Sequence, residues 1–188
     1  MTYIDDIEAL ILDDEIIDWL RAEQHPTIDA AWAACSRGDW MLQIASRCVG
    51  PVGDRRRVPL ALASVHCAEL ALAYVPEGED RPRVGVETVR SWARGEATIE
   101  QVRASEAATW AAGPPGQTVT EAAAWAIGAI AAAAGVPEVA RAAEEAVIRT
   151  AWAAAWAVGA AGRAETLARC ADIVRHHYPE PPVPPAAI

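Results

Sequence analysis

Helix starts and stops recur along the whole chain, and no stretch alternates polar and apolar residues as a half-buried strand requires. That punctuation restricts the fold to packed helices. Tyr3, Ile4, Ile7, Leu10 and Ile11 form one helical stripe, whereas Leu12, Ile16, Trp19 and Leu20 fall on nearly the opposite face. One straight helix cannot bury both stripes on a single partner. A break is therefore expected near Asp13 or Asp14, either of which can cap the next piece. His25-Pro26 closes that piece, Thr27 caps a short helix through Ala34, and Gly38-Asp39 opens another from Trp40 to Val49. Asp54 is expected to cap a long helix to Val75, with Pro59 tolerated because it lies near the start. Asp80 is expected to cap a helix to Gly95, and Thr98 with Gln101 makes a capping box for a helix to Ala112. A second box, Thr118 with Glu121, opens an alanine-rich helix to Ala134, and another helix follows Pro137 to Val158. The last helix is expected from Arg163 to His177, with Leu167, Cys170, Ile173 and Val174 on one face.

The expected fold is all-α, an irregular multi-helix bundle of about eight to nine helices. A helical solenoid ranks second, because some helix pairs are similarly spaced but no consensus repeats. Residues 1–178 read as a single helical domain whose segment 1–24 is acidic, and residues 179–188 as a proline-rich tail. The packing material is unusual: 44 alanines and eight tryptophans, with no phenylalanine and no lysine. Alanine loses no side-chain entropy in a helix and lets helices approach closely, while indoles fill the larger gaps.

A net charge of −10 argues against nucleic acid as a partner, because phosphate binding needs clustered cations. Residues 1–34 carry nine acids and one arginine, a net of −8, and residues 35–188 carry seventeen acids and fifteen arginines, a net of −2. Asp5, Asp6, Asp13, Asp14 and Asp18 are therefore the candidate partner-binding residues, offered to a basic protein. The plainer reading is a solvated helix face. Without a histidine at i+3 or i+4 these carboxylates do not make a metal site. The triplet Arg55-Arg56-Arg57 is expected to pair with acids of the same chain, and Trp125, Trp152 and Trp156 to form a core seam.

The four cysteines, Cys35, Cys48, Cys67 and Cys170, contain no CxxC pair and read as reduced, buried, small apolar residues of a cytoplasmic protein. Met1 to Leu12 holds acids where a signal peptide needs cations, and the uncharged run Ala122 to Pro137 is too short to span a membrane. His66 and Cys67 are neighbours on a helix and diverge, so burial is expected there rather than a nucleophilic pair. His176-His177 is expected to be partly cationic at a helix C-terminus, and to hold a metal only with a ligand from elsewhere. No GxSxG, HExxH or phosphate-loop motif occurs, and the sequence nominates no catalytic residue, metal ligand or cofactor.

Four segments carry a resemblance. They are WLRAEQHPTIDAAWAACSRGDWMLQIASR (Trp19 to Arg47), DRRRVPLALASVHCAELAL (Asp54 to Leu72), GEDRPRVGVETVRSWARGEATIEQVRAS (Gly78 to Ser105) and LARCADIVRHHYP (Leu167 to Pro179). In that order they resemble the immunity proteins of bacterial polymorphic toxin systems, the Imm-five-like group. The acids before Trp19 and the loop Gly113-Pro114-Pro115-Gly116 lie outside the shared pattern. The resemblance implies a non-catalytic cytoplasmic protein that binds and neutralises a cognate toxin, and it brings no site residues. The alternative is a helical scaffold or adaptor in a larger protein assembly.

Overall fold

The computed structural model of the chain describes residues 3–8, 10, 12–49, 56, 58–75, 77–111 and 162–182. The architecture is an all-α multi-helix bundle. In chain order the helices are α1 (Tyr3–Glu8), α2 (Asp14–Glu23), α3 (Ile28–Ala34), α4 (Gly38–Cys48), α5 (Val58–Glu69), α6 (Arg81–Ala93), α7 (Ile99–Trp110) and α8 (Arg163–His177). A single 3-10 turn, Leu72–Tyr74, follows α5, and no strand occurs among the described residues. The helices expected from Thr118 to Val158, with Trp125, Trp152 and Trp156, lie outside the described residues.

The expected phase break falls between α1 and α2. Asp13 occupies the N-cap position in an extended conformation, but its side chain makes no capping hydrogen bond. Helix α2 ends before His25-Pro26, because Gln24 turns left-handed at φ 49°. Thr27 caps α3 as expected, its Oγ1 accepting from the Ala30 amide at 3.2 Å. Gly38 and Asp39 lie inside the first turn of α4 rather than before it. There Asp39, almost fully buried, accepts from Arg37 Nε at 2.9 Å and Nη2 at 2.6 Å.

Helix α5 is the main correction. It runs from Val58 and closes at Glu69 rather than Val75, while its expected cap, Asp54, lies outside the described residues. Pro59 is the second residue of the helix, in the first turn, where its missing N–H costs no helical hydrogen bond. At the other end the Leu70 and Ala71 amides reach back three residues, to Cys67 and Ala68, and tighten the chain into the 3-10 turn. Asp80 occupies the N-cap position of α6, as expected, and its carbonyl accepts from the Val84 amide at 2.9 Å. Its side chain makes no capping bond, and the Arg81 amide instead donates to Glu79 Oε1 at 3.1 Å. Helix α6 closes in a Schellman motif around left-handed Gly95 (φ 79°), with Glu96 N–H on Ser91 O and Gly95 N–H on Trp92 O. Both halves of the Thr98–Gln101 capping box form, at 3.3 and 2.7 Å, and α8 has the bounds expected of it.

Two apolar clusters share α5. Its Leu60, Ala63 and Cys67 join a core built with Ile16, Leu20, Met41, Leu42, Cys170 and Val174 of α2, α4 and α8. Its Ala61, Val65 and Ala68 join a smaller core with Val86, Val89 and Val102 of α6 and α7. A helix buried on two sides must be apolar nearly all round, and VPLALASVHCAE is. Helix α8 packs against both α4 and α5. From it Arg175 reaches across to the end of α3, donating to Trp32 O at 3.2 Å and Cys35 O at 2.7 Å, carbonyls that the helix end leaves open. Trp32 Nε1 in turn donates to Tyr178 O at 3.0 Å and holds the chain where it leaves α8.

The closest approach is at Gly38. A Cβ there would run into the Cys170 side chain and stand 2.6 Å from the Ala171 backbone nitrogen, so α4 or α8 would have to move. Gly38→Ala is expected to lower the unfolding free energy by about 2–3 kcal/mol, with the denaturant midpoint falling at unchanged slope. A midpoint within error of the parent would mean that the two helices do not meet at this residue.

Candidate functional site

Helix α2 buries Ile16, Ile17 and Leu20 and turns Asp14, Glu15 and Asp18 to solvent. Asp14 and Asp18 are four residues apart, hence on one face, and exposed Asp13 adjoins them at the helix start. Carboxylates in a first turn are stabilised by the helix dipole, which accounts for Asp14 and Glu15 structurally. Asp18 lies beyond that turn and gains little from it. Asp5 on α1 is also exposed, while the Asp6 side chain lies outside what the structure describes. The lone arginine of this region, Arg21, is engaged by Glu8 at 2.6 Å across the α1–α2 contact. Asp13, Asp14 and Asp18 form no ion pair among the described residues, so the ridge keeps its negative charge.

The ridge sits on a fixed base. Trp19, on the inward side of α2, packs between His25 and Trp40 in tilted contacts of 53° and 49°, with ring centroids 5.7 Å from each. Arg37 lies over the far ring, 4.1 Å from the Trp40 centroid. Beside the ridge an open groove of about 530 Å³ is lined by Tyr3, Ile4, Arg21, Gln24, His25 and Pro26. Tyr3 Oη closes its floor by donating to His25 O at 3.0 Å. Of the basic triplet only Arg56 is described, and it is exposed.

The histidines are placed differently from expectation. His66 Nδ1 stands 2.9 Å from His177 Nε2, a contact between α5 and α8 spanning 111 residues of sequence. Which ring donates depends on the tautomer. The ring planes are inclined at 29° with centroids 5.0 Å apart, and His176 lies edge-on to His177. Burial lowers the His66 pKa, with Glu69 opposing and Arg90 and His176 adding to the shift. Burial, then the neighbouring His66 and His176, brings His177 down to about 4. His177 is thus neutral at ordinary pH, and the cationic helix-end role expected of it is not the one it fills. Sequence spacing gave no sign of this pair, because only the seating of α8 on α5 creates it.

Cys67 is fully buried beside Cys170, and burial raises its pKa well above the ordinary thiol range. Burial also raises Cys35, and takes Cys48 to about 11. All four cysteines are free and buried. A protonated, inaccessible thiol is a poor nucleophile, so His66 and Cys67 do not make a catalytic pair. Among the described residues no group of three or more histidines, cysteines and carboxylates is placed to hold a metal ion. No helix among them is long and apolar enough to cross a membrane. Comparisons with protein-family models, curated proteins and solved structures return no match to this chain.

The histidine pair makes stability depend on pH. A histidine whose folded pKa is depressed binds its proton more readily in the unfolded chain. Its contribution is therefore intact above about 6.5 and is lost as pH falls toward about 4. A fully insulated shift of that size corresponds to about 3 kcal/mol, and screening at a half-exposed ring reduces it to about 1–2 kcal/mol. Between pH 6.5 and 4 the parent is expected to lose about that much more stability than His177→Asn. Parallel pH profiles for the two proteins would contradict this account.

Proposed function

We propose that this chain is a non-catalytic inhibitor of the immunity type, which binds a cognate bacterial toxin in the cytoplasm through its acidic N-terminal face. The carrying observation is the exposed, charge-uncompensated ridge of Asp13, Asp14 and Asp18 on a helix that is itself firmly seated. Such a ridge draws in a cationic partner and suppresses wrong ones by charge. A preformed helical surface also spares most of the ordering cost of association. The four segments that resemble immunity proteins run from the second half of α2 through α3 to α6, and take in the first half of α7 and most of α8. The acids before Trp19 lie outside that shared pattern, which suits a role in choosing the partner. The buried thiols favour a binding role over a nucleophilic one.

The test uses the product of the adjacent reading frame in the source DNA as partner. Association is measured by stopped flow at low salt for the parent and for Asp13→Lys, Asp14→Lys and Asp18→Lys combined. The on-rate is expected to fall about 10-fold or more, with the difference shrinking as salt is added. Unfolding free energy should change by less than about 1 kcal/mol, because all three side chains are exposed. An unchanged on-rate would remove the ridge from the interface. Absence of binding, together with recovery of the chain in a stable multiprotein assembly, would favour the adaptor reading instead.

A further inference from the structure

We propose that His66 and His177 form a two-imidazole site for a late first-row divalent cation (Ni²⁺, Cu²⁺ or Zn²⁺) that staples α5 to α8. The inference is independent of the toxin-binding reading. Two nitrogens bound to one ion at about 2.05 Å lie about 2.9 Å apart at the right angle of Ni²⁺ and Cu²⁺ and about 3.3 Å apart at the tetrahedral angle of Zn²⁺. The observed separation of His66 Nδ1 and His177 Nε2 is 2.9 Å. Both rings are half-buried. Neither ring is closed off from solvent, so water can reach the pair.

The chemistry of the pair agrees with this. At present one ring nitrogen donates to the other, so one proton occupies the gap. For an ion to enter, that proton moves to an outer nitrogen, leaving His66 protonated on Nε2 and His177 on Nδ1. Each ring then offers a lone pair, both stay neutral, and no net proton is released. The rings meet almost head-on, with centroids 5.0 Å apart, and each must turn about its Cβ–Cγ bond for the lone pairs to converge. Glu69 stands three residues from His66 on α5, its carboxylate ion-paired with Arg90 of α6. That pairing keeps a large net charge away from the site. His176 is exposed beside His177 and is not needed for the chelate. Water completes the shell, so binding is weaker than at a three- or four-ligand structural site. Imidazole ligands select the late transition ions over Mg²⁺ and Ca²⁺.

Thermal unfolding of the tag-free chain at pH 7.5 tests the proposal. Saturating Ni²⁺ or Zn²⁺ is expected to raise Tm by about 3–6 °C, reversibly with a chelator, while Mg²⁺ has no effect. His66→Asn and His177→Asn should each abolish the rise, and His176→Asn should keep it. If either pair variant fails to fold, electron paramagnetic resonance of the Cu²⁺-loaded parent decides, with two coordinated nitrogens expected. No metal-dependent rise in the parent, a rise that survives both pair substitutions, loss of the rise in His176→Asn, or fewer than two coordinated nitrogens would each overturn it.

Discussion

Where α8 lies against α4 and α5, Gly38 leaves no space for a side chain, and Cys67 and Cys170 are closed off from water. Several features far apart in sequence depend on this seam. Arg175 can satisfy the carbonyls at the end of α3 only because α8 is held beside it. His66 can meet His177 only because α5 and α8 are in register. Helix α5, with one face in this seam and another against α6 and α7, joins the two apolar clusters. Small side chains make such contacts possible, and the substitution of alanine and cysteine for bulkier groups is what lets the three helices approach.

Elements set by local chemistry were legible in the sequence. Helices α3, α7 and α8 begin and end close to their signals, because Thr27, the Thr98–Gln101 box and the α8 stripe act within a turn or two of themselves. The C-terminal end of α5 was not, because a long apolar run carries no mark of where its tertiary partners stop. Asp80 takes the N-cap position its sequence signal marks, but the carboxylate one residue earlier, not its own, reaches the Arg81 amide. The exposure of Asp5, Asp13, Asp14 and Asp18 followed from their charge. The histidine pair and the neutral state of His177 did not follow from anything local, since both arise from contacts that span the chain.

The described structure divides its chemistry by depth. All four thiols occupy the interior, where burial raises the pKa of Cys35, Cys48 and Cys67 and lowers their reactivity. Carboxylates occupy the rim of α1 and α2, on a helix fixed by Trp19 against Trp40. A rigid base under an exposed charged face suits recognition, because little conformational freedom remains to be lost on binding. The proposed toxin-binding role is the use of this arrangement that best fits both the charge and the inert interior.

The claim beneath all of this is that the α4–α5–α8 seam stays closed in the native state. Native-state alkylation of the four cysteines, followed by mass spectrometry with site resolution, measures it directly. The account predicts that Cys67 and Cys170 react only as fast as the whole chain unfolds, with their rates rising together in denaturant. Rapid labelling of either thiol under native conditions, at a rate independent of global unfolding, would contradict it.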